Sequence, residues 1–353
     1  MWPSTEASGR RKAIFFACAA TFCVMLAGCA ATAPPSETDP ELFWPKPPAT
    51  ERIRFVRSVS EPSDIDIRPG TLGRFVRYMA GTPKASIVSP YGVAADEKGR
   101  LFVVDTYRKR VHRFHPGKNA YSCFPEEPKV LDAPVGIALD EKGRIYVTDT
   151  EQGVVKVFAD GGEEVVAELG ADFFERPTGI CVNPHTAELA VVDTLASRVF
   201  RFDLFDFSLK GSFGANGASE GEFHYPTNIC STPDGNFAVS DTLNFRIQVF
   251  SPEGAYLYKF GGMGRSAGSF SRPKGIAADS DGNLYVVDAL FDNIQVFDPR
   301  GRLLMAFGTH GREPGEFWLP TGICIDAHDR IHVSDASNSR IQVFQYLKRD
   351  GNQ

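Results

Sequence analysis

An all-β propeller of six blades is the fold this sequence predicts, and three observations predict it. First, one frame of about 25 residues recurs six times, starting at Pro90, Pro134, Pro177, Pro226, Pro273 and Pro320. The prolines are spaced 44, 43, 49, 47 and 47 residues apart, and a fixed period of that size is the mark of a repeat architecture. Second, each period divides into four short runs of β-branched and aromatic residues bounded by Gly, Asp, Asn and Pro, which read as strands. Third, the sixth period lacks its fourth strand, whereas a strand without a blade, Arg52–Ser60 (RIRFVRSVS), precedes the first. Pairing that strand with the last blade closes the ring and removes an open sheet edge.

The second period shows how each element is assigned. Strand a spans Gly136 to Asp140 and turns at Glu141-Lys142-Gly143. Strand b spans Arg144 to Thr148 and ends at Asp149. Strand c covers Val154 to Phe158 and turns at Asp160-Gly161-Gly162, and strand d covers Glu164 to Leu169. Four up-and-down strands per 40 to 50 residues describe a blade. Later d strands are expected over Phe207–Phe213, Ala255–Phe260 and Arg302–Phe307.

Residues 1–28 read as a secretory signal. Arg10, Arg11 and Lys12 precede a short apolar run that ends in Leu26-Ala27-Gly28-Cys29. Residues 29–50 carry six prolines and read as a semi-rigid tether. The propeller is expected over 51–348. Its parts are a closing strand at 52–60, an insertion at 61–89 and repeats over 90–348. Within the insertion, TLGRFVRYMAG places Leu72, Phe75, Val76 and Met79 at helical spacing.

The full chain has 38 Lys and Arg against 44 Asp and Glu, a net charge of −6. Removing residues 1–28 takes away three basic residues and one Glu, giving −6 − (3 − 1) = −8. An acidic chain of this kind lacks the basic footprint of a nucleic-acid binder. Cys181, Cys230 and Cys324 stand four residues after the repeat proline, where other repeats have Ala, and read as small buried hydrophobes. No C-x-x-C spacing is present, and no cofactor or metal set is legible.

Six aspartates end the b strands: Asp105, Asp149, Asp193, Asp241, Asp288 and Asp335. A ring of carboxylates could hold a cation. A residue present in every blade more naturally serves the blade, by accepting hydrogen bonds from the b–c turn with help from the Arg five positions on. The glycine two residues after the proline suits close approach or positive φ. In the fourth blade Asn228 replaces it, which is read as tolerance of positive φ and a hint of a polar group facing the channel.

The d–a and b–c loops share one face of a propeller. The candidate ligand-binding residues on it are Tyr91, His224, Tyr225, Asn228, Lys274, His310 and Trp318, a mixture of aromatic, basic and amide groups suited to a polar or peptidic ligand. The seven histidines occupy unrelated repeat positions, and no nucleophile elbow, phosphate loop or catalytic triad is legible.

The frame P-x-G-[IV]-[AC]…[DN]-G-x-[LFI]-[YFA]-V-x-D-[TA]-x-x-x-x-R-[IV]-x-x-F resembles the NHL repeat, and the resemblance covers residues 90–346. The segment WPKPP…RIRFVRSVS looks like that of six-bladed NHL lipoproteins of bacterial envelopes. The Leu-Ala-Gly-Cys ending resembles a lipobox. That likeness implies a lipidated Cys29 and, with Ala30 following, an outer-membrane location in a diderm bacterium. The resemblance implies a membrane-anchored binding or scaffolding module with a protein partner in an envelope complex. Relatives in the wider group imply two other roles. One is a metal-dependent lyase or lactonase with its site at the channel. The other is an envelope ligand sensor.

Overall fold

The computed structural model describes residues 42–68 and 86–348. The signal, Cys29 and the expected helix at 71–81 lie outside the described residues. Six antiparallel sheets succeed one another along the chain, each in the order a-b-c-d. Blade 1 is Pro90–Ala95, Leu101–Asp105, Arg110–His115 and Ala120–Phe124, and blade 4 is Pro226–Ser231, Phe237–Asp241, Arg246–Phe250 and Tyr256–Gly261. The a strands of successive blades touch around the axis, and the last touches the first. The chain is a six-bladed β-propeller.

Closure follows the expected route. In blade 6, Pro320–Ile325, Arg330–Asp335 and Arg340–Tyr346 are followed in space by Ile53–Val59, with Ile53 opposite Tyr346 and Val59 opposite Ile341. One element differs from the sequence reading. Phe43–Trp44, expected within the tether, forms a fifth strand against Ile53–Val59. Trp44 lies 5.8 Å from both Phe307 and Phe344, so residues 42–50 belong to the surface of blade 6.

The core consists of six apolar layers, one between each pair of neighbouring blades. This is why every b strand is buried on both faces and reads as a continuous apolar run. The phenylalanine of strand c, nine residues after the aspartate, is buried in each blade, from Phe114 to Phe344. The layer between blades 6 and 1 joins Val59, Ile341 and Val343 to Val93, Leu101 and Val103, and takes Ile65, Ile67 and Ile87 from either end of the insertion.

Candidate functional site at the channel mouth

The aspartates prove to be rivets of the blade. All six are fully buried. Asp149 is typical: it accepts from the N–H groups of Asp132 and Ala133 in the preceding d–a loop, and from Glu151 and Gln152 in its own turn. The tie to the d–a loop was not expected. The arginine partner holds only in blades 4 and 6, where Arg246 and Arg340 donate to Asp241 and Asp335 at 2.8 Å. Arg198 is exposed, and Arg110 turns instead to the Cys123 sulfur at 3.3 Å. In blade 1, His112 takes the place beside the carboxylate, with Nε2 3.2 Å from Asp105 and Nδ1 2.7 Å from the Tyr121 hydroxyl.

Threonines clip the blades together. Thr106, Thr194 and Thr242, each next to its aspartate, donate to the carbonyls of Pro134, Pro226 and Pro273 in the following blade. Thr321 closes the ring by donating to Pro90 at 3.2 Å. Gln248, Gln295 and Gln342 hold the long d–a loops before blades 4, 5 and 6 through paired amide bonds to loop backbone. The loop face is therefore a rigid platform.

On this platform the residues just after the repeat proline surround the channel mouth. Thr178, Thr227 and Thr321 are buried and occupied by hydrogen bonds. Tyr91 and Lys274 behave differently. The Lys274 ammonium lies 5.1 Å from the centre of the Tyr91 ring, although blade 6 stands between their two blades. The contact must cross in front of the short Thr321, so both side chains lie over the mouth.

Asn228 does not have the positive φ expected of it. The glycines at its position are required by close approach: a Cβ on Gly92 would meet the Val135 carbonyl oxygen at 2.5 Å. In blade 4, Asn228 pairs with Ser240 in the a–b ladder, a place the glycine skips in the other five blades. Asn228 is part-exposed at the mouth.

Beneath it, the Ser240 hydroxyl is buried without a partner, as is Ser334 at the same place in blade 6. Blades 1, 3 and 5 have Val there. Ser240→Val is expected to raise stability by about 1 kcal/mol or more, since an unsatisfied buried hydroxyl is removed. Urea unfolding checks it, and a lower midpoint would show that the hydroxyl has a partner in solution.

The loop candidates form two separate groups. Between blades 3 and 4, the Arg176 guanidinium donates to the Tyr225 hydroxyl at 3.0 Å, with His224 exposed beside them. Between blades 5 and 6, His310 lies 2.9 Å from Asp292, its ring meets Trp318 edge-on, and Arg312 lies 5.0 Å over the Trp318 ring. Arg176 and Asp292 escaped the sequence reading; their place beside a candidate in the neighbouring repeat was the available signal. The larger grooves lie elsewhere. One of about 760 Å³ separates blades 1 and 2 near Arg113 and Glu127, and one of about 540 Å³ lies where residues 45–53 meet blade 5. Among the described residues no three His, Cys, Asp or Glu are gathered as metal ligands.

Of the three cysteines read as small buried hydrophobes, Cys230 is buried, whereas Cys181 and Cys324 are half-buried at layer edges. Among the described residues the cysteines are free, Cys181, Cys230 and Cys324 pack against the apolar layers, and burial pushes the Cys230 thiol up to about 12.

Comparison with known sequences finds the NHL repeat at residues 223–250 and 317–344. Blades 4 and 6 carry NHL repeats. No curated protein matches the chain. Among solved structures, an auxiliary nutrient binding protein from Bacteroides thetaiotaomicron is 15% identical, with TM-score 0.60 over 75% of this chain and 71% of its own. Virginiamycin B lyase from Staphylococcus aureus is 16% identical, with TM-score 0.55 over 74% and 96%. A gluconolactonase from Xanthomonas campestris is 18% identical, with TM-score 0.56 over 74% and 87%. At these identities the likeness is one of fold. The NHL propeller described above shares its architecture with binding proteins and enzymes alike.

Proposed function

We propose that this NHL propeller is a lipid-anchored envelope protein that acts as a binding module, taking a protein or polar ligand on the face of the d–a and b–c loops. The observation that carries this reading is the break in sixfold pattern at the mouth. Lys274 reaches across to Tyr91, and Asn228 stands where five blades have glycine. A residue shared by all blades serves the ring, whereas these three side chains break its repeat. Tyr225, His224, His310 and Trp318 surround the same face as further contacts.

The envelope location is supported by the Leu26-Ala27-Gly28-Cys29 ending and by fold neighbours described as nutrient binding proteins of Bacteroides. Lipidation of Cys29 would tether the protein to an outer membrane. Neighbours that are lyases and a lactonase favour a second reading, a metal-dependent enzyme at the channel.

The test places a photo-crosslinking residue at Tyr225, on the loop face, or at Phe205, which is 84% exposed on the opposite face. Crosslinking in cells is expected to give adducts from Tyr225 and not from Phe205; the reverse would sink the reading. In the same cells Cys29→Ser is expected to release the protein from membranes, and unchanged fractionation with unchanged acyl labelling would remove the anchor. A stoichiometric, chelator-sensitive metal in the purified protein would favour the enzyme.

A further inference from the structure

We infer that the channel mouth recognises an anionic group, a carboxylate or phosphate carried by the ligand. The inference deepens the reading of this face as the binding site and rests on it. Three positions in each blade flank the repeat proline on the loop face, the two after it at the mouth and the one before it on the adjoining loop. Across six blades these eighteen positions hold three cations, Arg176, Arg272 and Lys274, and no carboxylate, in a chain whose net charge is −6. Among the described residues none of the three forms an ion pair. Arg176 and Arg272 are exposed and Lys274 is half-buried, so all three are open to a ligand from solvent.

The buried aspartates do not account for these cations. Asp288, the aspartate that ends the b strand of the same blade, spends its charge on the N–H groups of Ser271, Arg272, Leu290 and Phe291. The backbone dipoles stabilise that carboxylate, leaving the side chains free. Two of the cations are also held in place, Lys274 by the Tyr91 ring and Arg176 by the Tyr225 hydroxyl. A long basic side chain ordered before the ligand arrives loses less rotamer entropy on binding. Arg272 occupies in blade 5 the position that Arg176 and Tyr225 hold in blades 3 and 4. The Arg176 side chain reaches Tyr225 of the next blade. Asn228, between the cations, offers an amide donor to the same group.

Purified full-length protein is titrated with citrate and with inorganic phosphate at constant ionic strength, following thermal unfolding and intrinsic fluorescence. A saturable response is expected, weakened at least about tenfold by Lys274→Ala and by Arg272→Ala, as loss of one charge-assisted bond implies. Arg300→Ala, exposed on the opposite face, is expected to leave it unchanged. Saturation by citrate alone assigns a carboxylate, and by phosphate alone a phosphate ester. A response absent for both probes, or equal in the wild type and the Lys274→Ala/Arg272→Ala double variant, overturns the anion. If crosslinks from Tyr225 persist in that case, the binding face stands and only its ligand class falls.

Discussion

Deleting residues 42–60 is expected to abolish cooperative folding of the propeller. The lost strand contributes Ile53, Phe55 and Val59, all buried, to the layers on both sides of blade 6. At about 1.5–3 kcal/mol for each fully buried side chain, the three together rival the whole net stability of an ordinary domain, about 5–15 kcal/mol. Arg340–Tyr346 would also become an open edge, inviting association with other chains. Thermal unfolding by circular dichroism and sedimentation check the result. A synthetic peptide of residues 42–60 is expected to restore the transition. Wild-type stability in the deletion would mean that the sixth blade completes itself by another route.

Asp241→Ala is the second large effect, expected to cost about 3–5 kcal/mol, the range for breaking one partner out of a buried ion pair. Four groups converge on this carboxylate: the His224 N–H, the Asn244 amide, the Arg246 guanidinium and the Gln248 amide. Burial nevertheless pushes the Asp241 carboxyl up from its ordinary range, against the pull of Asn244, His224 and Arg246. Desolvating both charges offsets much of the attraction between them. The cost of losing Asp241 comes from stranding Arg246, which is 7% exposed. It follows that Asp241→Ala/Arg246→Met should recover a good part of the loss. Urea unfolding of the two variants decides, and an equal loss in both would place the cost in the orphaned loop amides instead.

The blades were legible because the constraint on each is local and repeated. A proline opens each a strand, an aspartate ends each b strand and a phenylalanine lies in each c strand nine residues later, so six copies correct one another. The closing strand could be found because RIRFVRSVS had strand character and no blade. Phe43–Trp44 was hidden by the prolines around it, since a two-residue strand has no periodicity to detect. Its anchor is Trp44 packing on Phe307 and Phe344, a contact between distant parts of the chain.

The candidate site was legible only as a face. Repeat position placed Tyr91, Lys274 and Asn228 at the mouth, but not the reach of Lys274 past blade 6, which depends on the smallness of Thr321. Arg110 and Arg246 occupy the same repeat position, yet only Arg246 meets its aspartate. In blade 1, His112 stands where Gln248 stands in blade 4 and has taken the carboxylate. Such competition between side chains has no signature in the spacing.

The origin of the closing strand also fixes an order of events. Ile53–Val59 is made before any blade, and its partner Arg340–Tyr346 is made after all the others. A strand made before every blade is thus the last to find its place, and nearly all of the propeller must be made before the ring can shut. Pairing at such sequence separation folds slowly, because the loop between the partners must first be closed. Until then five and a half blades wait with an unsealed seam, and chaperone protection is needed over that interval more than at any later time.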